Sequence, residues 1–233
     1  MLDLQRVSAG YGRLRVLFDV DMHVEPGEFI AVVGNNGAGK STLLKTILGV
    51  VPTDGGAIQL AGQRVTHLRS HERFARGLSL SPEGRRIFPR LSVAENLVTG
   101  SFSMSPDIIG DQTRMCFDLF PRLEERSAQL AGSLSGGEQQ MLAVSRALMS
   151  RPKVLMVDEL SMGLAPLIVE ELLGALKELS ERGLTVIVVD QFARTLLDYA
   201  GRGYLMEKGR LVYEGDAEDL RAHVDDSSAV GVS

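Results

Sequence analysis

Nine residues that follow an apolar run constrain this chain more than anything else in it. EFIAVV (28–33) reads as a fully buried strand and runs directly into GNNGAGKST (34–42). That segment fits G-x-x-x-x-G-K-[ST] through Gly34, Gly39, Lys40 and Ser41. STLLKTIL then reads as a helix, closed by Gly49 with Pro52 beyond it. Glycines let such a loop curl until successive backbone N–H groups converge on phosphate oxygens. The helix that starts there aims the positive end of its dipole at the same anion. At this spacing Lys40 reaches the β- and γ-phosphates, and the Ser41 hydroxyl is a hard oxygen ligand for Mg2+. A glycine turn that merely caps a helix is the bland alternative. A chance match in a chain of this composition is on the order of one in a hundred, and the flanking strand and helix are those the motif demands. Strand, phosphate loop and helix in this order open a layered α/β fold.

The remaining pattern agrees. Val16, Phe18, Val20, Met22 and Val24 alternate with polar residues, as in a half-buried strand. Residues 70–135 are rich in Arg, Ser and Pro with short helical pieces such as MCFDLFPRLEER, and read as a helical insertion beside the main sheet. From 137 the α/β rhythm resumes: helix EQQMLAVSRALMS, strand VLMVD, helix PLIVEELLGALKELSER, strand TVIVV, a short helix, then strands GYLMEK and RLVYEG. Ile168, Leu172, Leu176 and Leu179 share one helical face, for which core packing is sufficient. The tail after Leu220 is small and polar, and is expected to be loosely ordered.

Composition excludes several functions. The net charge is −5, with 25 basic against 30 acidic residues, and lacks the footprint of a general nucleic-acid binder. Arg85, Arg86 and Arg90 read better as a solvated, partner-docking loop than as a nucleic-acid patch. Cys116 is the single cysteine, so no disulfide closes within the chain, which fits a reducing cytoplasm. The amino end, MLDLQRVSAG, has no basic head or long apolar core, and no apolar run approaches the ~18 residues that span a bilayer. His23, His67, His71 and His223 show no metal-ligand spacing.

Two further motifs carry chemistry. VLMV (154–157) delivers Asp158 and Glu159 to the carboxyl end of a buried strand, where open α/β folds bind ligands. Asp158 suits a Mg2+ role, and Glu159 is placed to orient or deprotonate an attacking water. A solvated acidic turn is the alternative, and the phosphate loop outweighs it. In LSGGEQQ (134–140), Ser135 and Glu138 are spaced as a capping box, which marks a helix amino end. The box leaves Gly136 and Gly137 unexplained, since each glycine costs about 1 kcal/mol relative to alanine in a helix. Close approach of a phosphate to the backbone is one reason for them. One chain then holds two anion-binding helix ends, and a two-fold dimer resolves the excess: each nucleotide lies between the loop of one chain and the SGG end of the other.

GNNGAGKST, VLMVDE and LSGGEQQ together resemble the ATP-binding subunit of ABC transporters, from about Leu2 to Leu220. The resemblance implies a P-loop NTPase, RecA-like core with an antiparallel β subdomain and a helical subdomain at about 84–150, all in one ATP-binding domain (1–233). It implies ATP and Mg2+ as cofactors and a head-to-tail ATP sandwich beneath two membrane-spanning permease subunits. The second ATPase of the sandwich is an identical copy or, as the resembled family favours, a related, non-identical chain, and a separate solute-binding protein supplies the cargo. The chain would then be cytoplasmic and peripheral to the inner membrane face. By the same resemblance Tyr11 stacks on adenine, and Gly34, Asn35, Asn36, Gly37, Ala38, Gly39, Lys40, Ser41 and Thr42 cradle the phosphates. Ser135, Gly136 and Gly137 close the site from the partner, Ser41, Asp158 and Glu83 hold the metal, Glu159 is the base and Gln191 senses the γ-phosphate. Glu83 stands where most members have glutamine, Leu160 where they have proline, and Gln191 where they have histidine. SPEGRR, EQQMLAVSRALM and SMGLAP are similar to the smaller ATPase of branched-chain amino acid importers, with urea and amide importers as close neighbours. A nucleotide-gated clamp without a membrane partner is the competing class. The single cassette, the absence of a heptad run and the acidic balance weigh against it.

Overall fold

The computed structural model describes residues 1–102 and 104–230. In chain order the elements are β1 (Leu2–Tyr11), β2 (Leu14–Val24), β3 (Phe29–Val33), α1 (Lys40–Leu48), β4 (Thr53–Leu60), β5 (Gln63–Arg64) and α2 (Ser70–Ala75). There follow β6 (Leu78–Ser81), α3 (Val93–Thr99), α4 (Pro106–Leu119), α5 (Pro121–Glu125), α6 (Gly136–Leu148) and β7 (Val154–Asp158). The chain closes with α7 (Pro166–Glu181), β8 (Thr185–Asp190), α8 (Ala193–Leu197), β9 (Arg202–Glu207), β10 (Arg210–Asp216) and α9 (Ala217–Val230).

The strands form two sheets. One is antiparallel, in the order β2-β1-β4-β5, and the other has six strands in the order β10-β9-β3-β8-β7-β6. From β9 to β6 the second sheet is parallel, with β10 returning antiparallel along its edge. The uninterrupted apolar run of β3 follows from its position. Ile30 and Val32 face a core shared with β1, β2 and α1, whereas Phe29, Ala31 and Val33 face a second core built with α6 and α7. A strand covered on both faces has no solvent side on which to place polar residues. The parallel strands bring the ends of β3, β7 and β8 side by side, with Val33 opposite Asp190 and Asp158 opposite Val189.

The carboxyl end of α1 is held by Arg73, a buried arginine on α2. Its guanidinium donates to the Thr46 and Ile47 carbonyls in the last turn of α1 and to the Thr66 and Leu68 carbonyls of the segment before α2, at 2.7–3.0 Å. Gly49 turns the chain here at φ 81°, and a Cβ at that position would stand 2.8 Å from the Arg73 side chain.

Three readings are corrected. The stretch 70–135 is not wholly a helical insertion beside the sheet: β6 is an edge strand of the main sheet, parallel to β7. LSLS is short and half serine, so it carried no apolar run, yet Ser79 is buried and its hydroxyl is satisfied by the Ala147 carbonyl at 2.8 Å. MCFDLFPRLEER is two helices, because Pro121 cannot continue α4 and instead starts α5. The chain beyond Leu220 continues as helix to Val230, anchored by buried Leu220 and by a stack of His223 on Tyr213 at 4.2 Å. The last part of the expected loose tail, 231–233, lies outside the described residues.

Candidate functional site

The loop 34–39 leaves the end of β3 and bends through left-handed glycines at Gly37 (φ 80°) and Gly39 (φ 110°), which deliver the chain into α1. Gly34 is required by space: a Cβ there would lie 2.2 Å from the Met206 carbonyl oxygen. Asn35, Asn36 and Gly37 form an exposed tip, while Ala38 is buried and pins the loop through a bond from the Gly209 N–H to its carbonyl at 2.8 Å. Lys40 is 4% exposed and folds back over the loop, its Nζ donating to Gly34 and Asn35 carbonyls at 2.7 and 3.1 Å. Burial lowers the pKa of this amine, and the charges of Glu159, Asp190 and Asp158 oppose that shift. Tyr11 is half exposed, and its hydroxyl lies 3.5 Å from Thr42 Oγ1, so the aromatic face borders the cradle.

Next to the loop stands Asp158. Ser41 donates to its Oδ1 at 2.9 Å, while its Oδ2 is buried without a hydrogen-bond partner. Burial pushes the carboxyl up to about 6, against the opposing effects of the Ser41 bond and of Lys45. Glu159 follows in a left-handed conformation (φ 49°), with its N–H bonded to the Val189 carbonyl at 2.9 Å. That turn is an uncommon one for a non-glycine residue and is found where surrounding structure imposes it. Its pKa is raised, first by burial and then by the nearby charge of Glu83. Glu83 itself is exposed on the loop after β6, and Gln191 is exposed on the loop after β8.

Sequence reasoning missed the group that joins these loops. Asp190 is 4% exposed and accepts from Ser161 N–H (2.9 Å), Ser161 Oγ (2.8 Å) and Phe192 N–H (3.0 Å). The segment carrying Glu159 is thereby stapled to the segment carrying Gln191. Asp190 is the final residue of β8, and the only signal for it was a carboxylate ending a buried run.

At the amino end of α6 the expected capping box is present. Ser135 N–H donates to Glu138 Oε2 at 2.8 Å, Glu138 N–H donates to Ser135 Oγ at 3.4 Å, and Arg126 pairs with Glu138 Oε1 at 3.0 Å. The glycines have a further reason inside the chain. A Cβ on Gly137 would stand 2.8 Å from Ile168 Cγ2 of α7, and one on Gly136 would stand 3.1 Å from Arg85 Nη2. Ile168 therefore meets α6 as well as the core. Lys40, Ser41, Asp158 and Glu159 thus converge at one end of the sheet. Ser135, Gly136 and Gly137 make no hydrogen bond to them among the described residues. A cleft of about 590 Å³ lies beside Glu159 and is bordered by Arg85, Arg86, Gln139, Gln140 and Met162.

The orphaned Asp158 Oδ2, next to the Ser41 hydroxyl and within electrostatic reach of Glu83, is an oxygen donor set that fits a hard divalent cation. Three-residue metal clusters of His, Cys, Asp or Glu are absent among the described residues, so such a cation would need oxygens from a bound phosphate.

Known proteins resemble this chain over most of its length. The family model described as ABC transporter matches residues 17–161. The high-affinity branched-chain amino acid transport ATP-binding protein BraG of Pseudomonas aeruginosa is 45% identical over 212 residues, covering 91% of each chain. A nucleotide-free ATP-binding cassette from an ABC transporter has the same fold, with a TM-score of 0.89 at 24% identity, covering 99% of this chain and 97% of that one. The dimeric structure of a bacterial ABC transporter cassette matches with a TM-score of 0.83 at 25% identity, covering 93% of this chain and 99% of the other. With its phosphate loop, paired carboxylates and LSGGEQQ helix set in this order, the chain belongs to the ABC transporter family.

Proposed function

We propose that this chain is the ATP-hydrolysing subunit of an importer for branched-chain amino acids. The observation that carries the reading is the convergence of Lys40, Ser41, Asp158 and Glu159 at the ends of β3 and β7, in a chain 45% identical to BraG. The loop N–H groups and Lys40 bind the phosphates of ATP, and Tyr11 stacks on the base. Ser41, Asp158 and Glu83 would hold Mg2+, which supplies charge neutralisation on the phosphates. Glu159 orients the attacking water and accepts its proton, a task suited to a carboxylate whose pKa is raised. Gln191 hydrogen-bonds the γ-phosphate through its amide, and cannot become cationic there as a histidine would. Leu160 replaces a ring-locked residue and is 1% exposed, so its side chain is held by packing.

In the same reading Ser135, Gly136 and Gly137 close the nucleotide of a second, related ATPase, within a helical subdomain spanning about 84–150. Two permease subunits and a separate solute-binding protein complete the machine and hold the chain at the inner membrane face. Among the described residues no helix is long and apolar enough to cross a membrane, so attachment falls to the permeases. The test is steady-state ATPase of Glu159→Gln in the assembled transporter. Removing a general base lowers turnover roughly 100-fold or more with ATP binding retained, and parental turnover would overturn the assignment.

A further inference from the structure

We propose that Arg85 is a phosphate-binding residue of the composite nucleotide site, donating to the ATP held by the opposite cassette. The proposal rests on the reading of Ser135–Gly137 as the closing half-site. Its starting point is a cation in the wrong place. The amino end of a helix carries positive partial charge and disfavours a neighbouring cation. Yet Arg85 Nη2 lies 3.1 Å from where a Gly136 Cβ would stand, against the first turn of α6.

The chain holds it there deliberately. Arg85 Nη1 donates to Gln139 Oε1 at 3.1 Å, and Arg146 Nη2 reaches the Arg85 carbonyl at 3.5 Å. Gly84, Arg85 and Arg86 have successive φ values of 73°, 63° and 48°, a left-handed run that two arginines adopt only under constraint. Beneath it Arg146 rests on the Phe88 ring at 5.3 Å, with its Nη1 buried and without a partner. Neither arginine makes a salt bridge among the described residues. The acidic residue of the first turn, Glu138, is already committed to Ser135 N–H and to Arg126.

The α6 amino end and the Arg85 guanidinium therefore stand together, and Glu159, the one carboxylate lining the cleft that Arg85 borders, makes no ion pair with it among the described residues. A phosphate seated on the Ser135–Gly137 backbone supplies the missing charge, and a guanidinium answers it with paired, charge-assisted hydrogen bonds. This also divides the work of the two glycines: Gly137 clears Ile168, and Gly136 clears Arg85.

The experiment measures ATPase of the assembled transporter carrying Arg85→Gln, Arg85→Lys or Ser135→Arg, together with ADP binding by the isolated full chain. Arg85→Gln is expected to lower kcat/KM for ATP tenfold or more and to leave ADP affinity within twofold, because in the proposed reading ADP is held by the loop at 34–42 and Tyr11 of the same chain. Arg85→Lys is expected to recover a third or more of the loss. If Arg85→Gln stays within twofold of the parent while Ser135→Arg is inactive, the role of Arg85 falls and the half-site stands. If Ser135→Arg is also active, the half-site reading falls and takes this proposal with it. A lysine variant as poor as the glutamine variant, or a parallel loss of ADP binding, would mean packing instead of charge and would equally overturn it.

Discussion

Asp158 has one carboxyl oxygen bonded to Ser41 and the other bonded to nothing, at a site that is 1% exposed. Its pKa therefore rises from 3.8 to about 6, with burial as the leading cause. The sign of the linkage follows. The folded chain holds this proton more tightly than the unfolded one, so the associated stability is fully present below pH 3.8 and is lost as pH rises through about 6. The whole shift corresponds to about 3 kcal/mol. Asp158→Asn removes the ionisation while keeping the shape. The nucleotide-free variant is expected to be more stable than the parent, by a margin that widens between pH 5 and pH 8. Urea unfolding at the two pH values measures this, and an equal margin at both would refute it. In the proposed reading, stability is surrendered here for a carboxylate that holds a cation beside the phosphates. Lys40 shows the same trade from the other side, as a buried amine bonded to carbonyls that an arriving phosphate would outcompete.

Between elements, α6 and α7 meet at a crowded contact. Gly137 faces Ile168 Cγ2 at 2.8 Å from the position of an added methyl, and a β-branched side chain has little room to turn away. Gly137→Ala is expected to destabilise the chain by about 1–2 kcal/mol, the overpacking penalty outweighing the gain in helix propensity. In an Ile168→Ala background the same change is expected to be neutral or stabilising by up to ~1 kcal/mol. A double-mutant cycle in urea reads the coupling, and additive effects would show that the contact is relaxed without cost. This crowding was illegible in the sequence, where the paired glycines pointed only to a ligand. Other features divide along the same line. β3, the phosphate loop and α1 were legible because 29 to 49 encode them locally, through apolar run, glycine spacing and helix closure. The role of β6 was not, since LSLS becomes a strand only by pairing with β7. Nor was the staple of Asp190 on Ser161, whose partners lie 29 residues apart and meet through the register of β7 and β8.

Taken whole, the molecule is organised around two cores on opposite faces of the six-stranded, mainly parallel sheet, with β3 contributing to both. The phosphate loop and the α6 amino end are fixed to this frame, and no hydrogen bond joins Ser135–Gly137 to Lys40, Ser41 or Asp158 among the described residues. In the proposed reading, two chains satisfy each other's half-sites by pairing about a two-fold axis, with ATP lying between them. The net charge of −5 on each chain opposes that pairing at long range and is screened by salt. The Glu159→Gln chain, which keeps the cradle but not the base, is therefore expected to double its mass with MgATP and not with MgADP. The ATP-bound dimer is expected to tighten as sodium chloride rises from about 50 to 300 mM, the reverse of the trend for a basic nucleic-acid binder. Adding Ser135→Arg is expected to return the chain to monomer mass, because an arginine at that cap would occupy the space of the phosphate. Light scattering on a sizing column measures all three. A dimer that survives Ser135→Arg would mean that the chains associate through another surface and that the nucleotide does not lie between them.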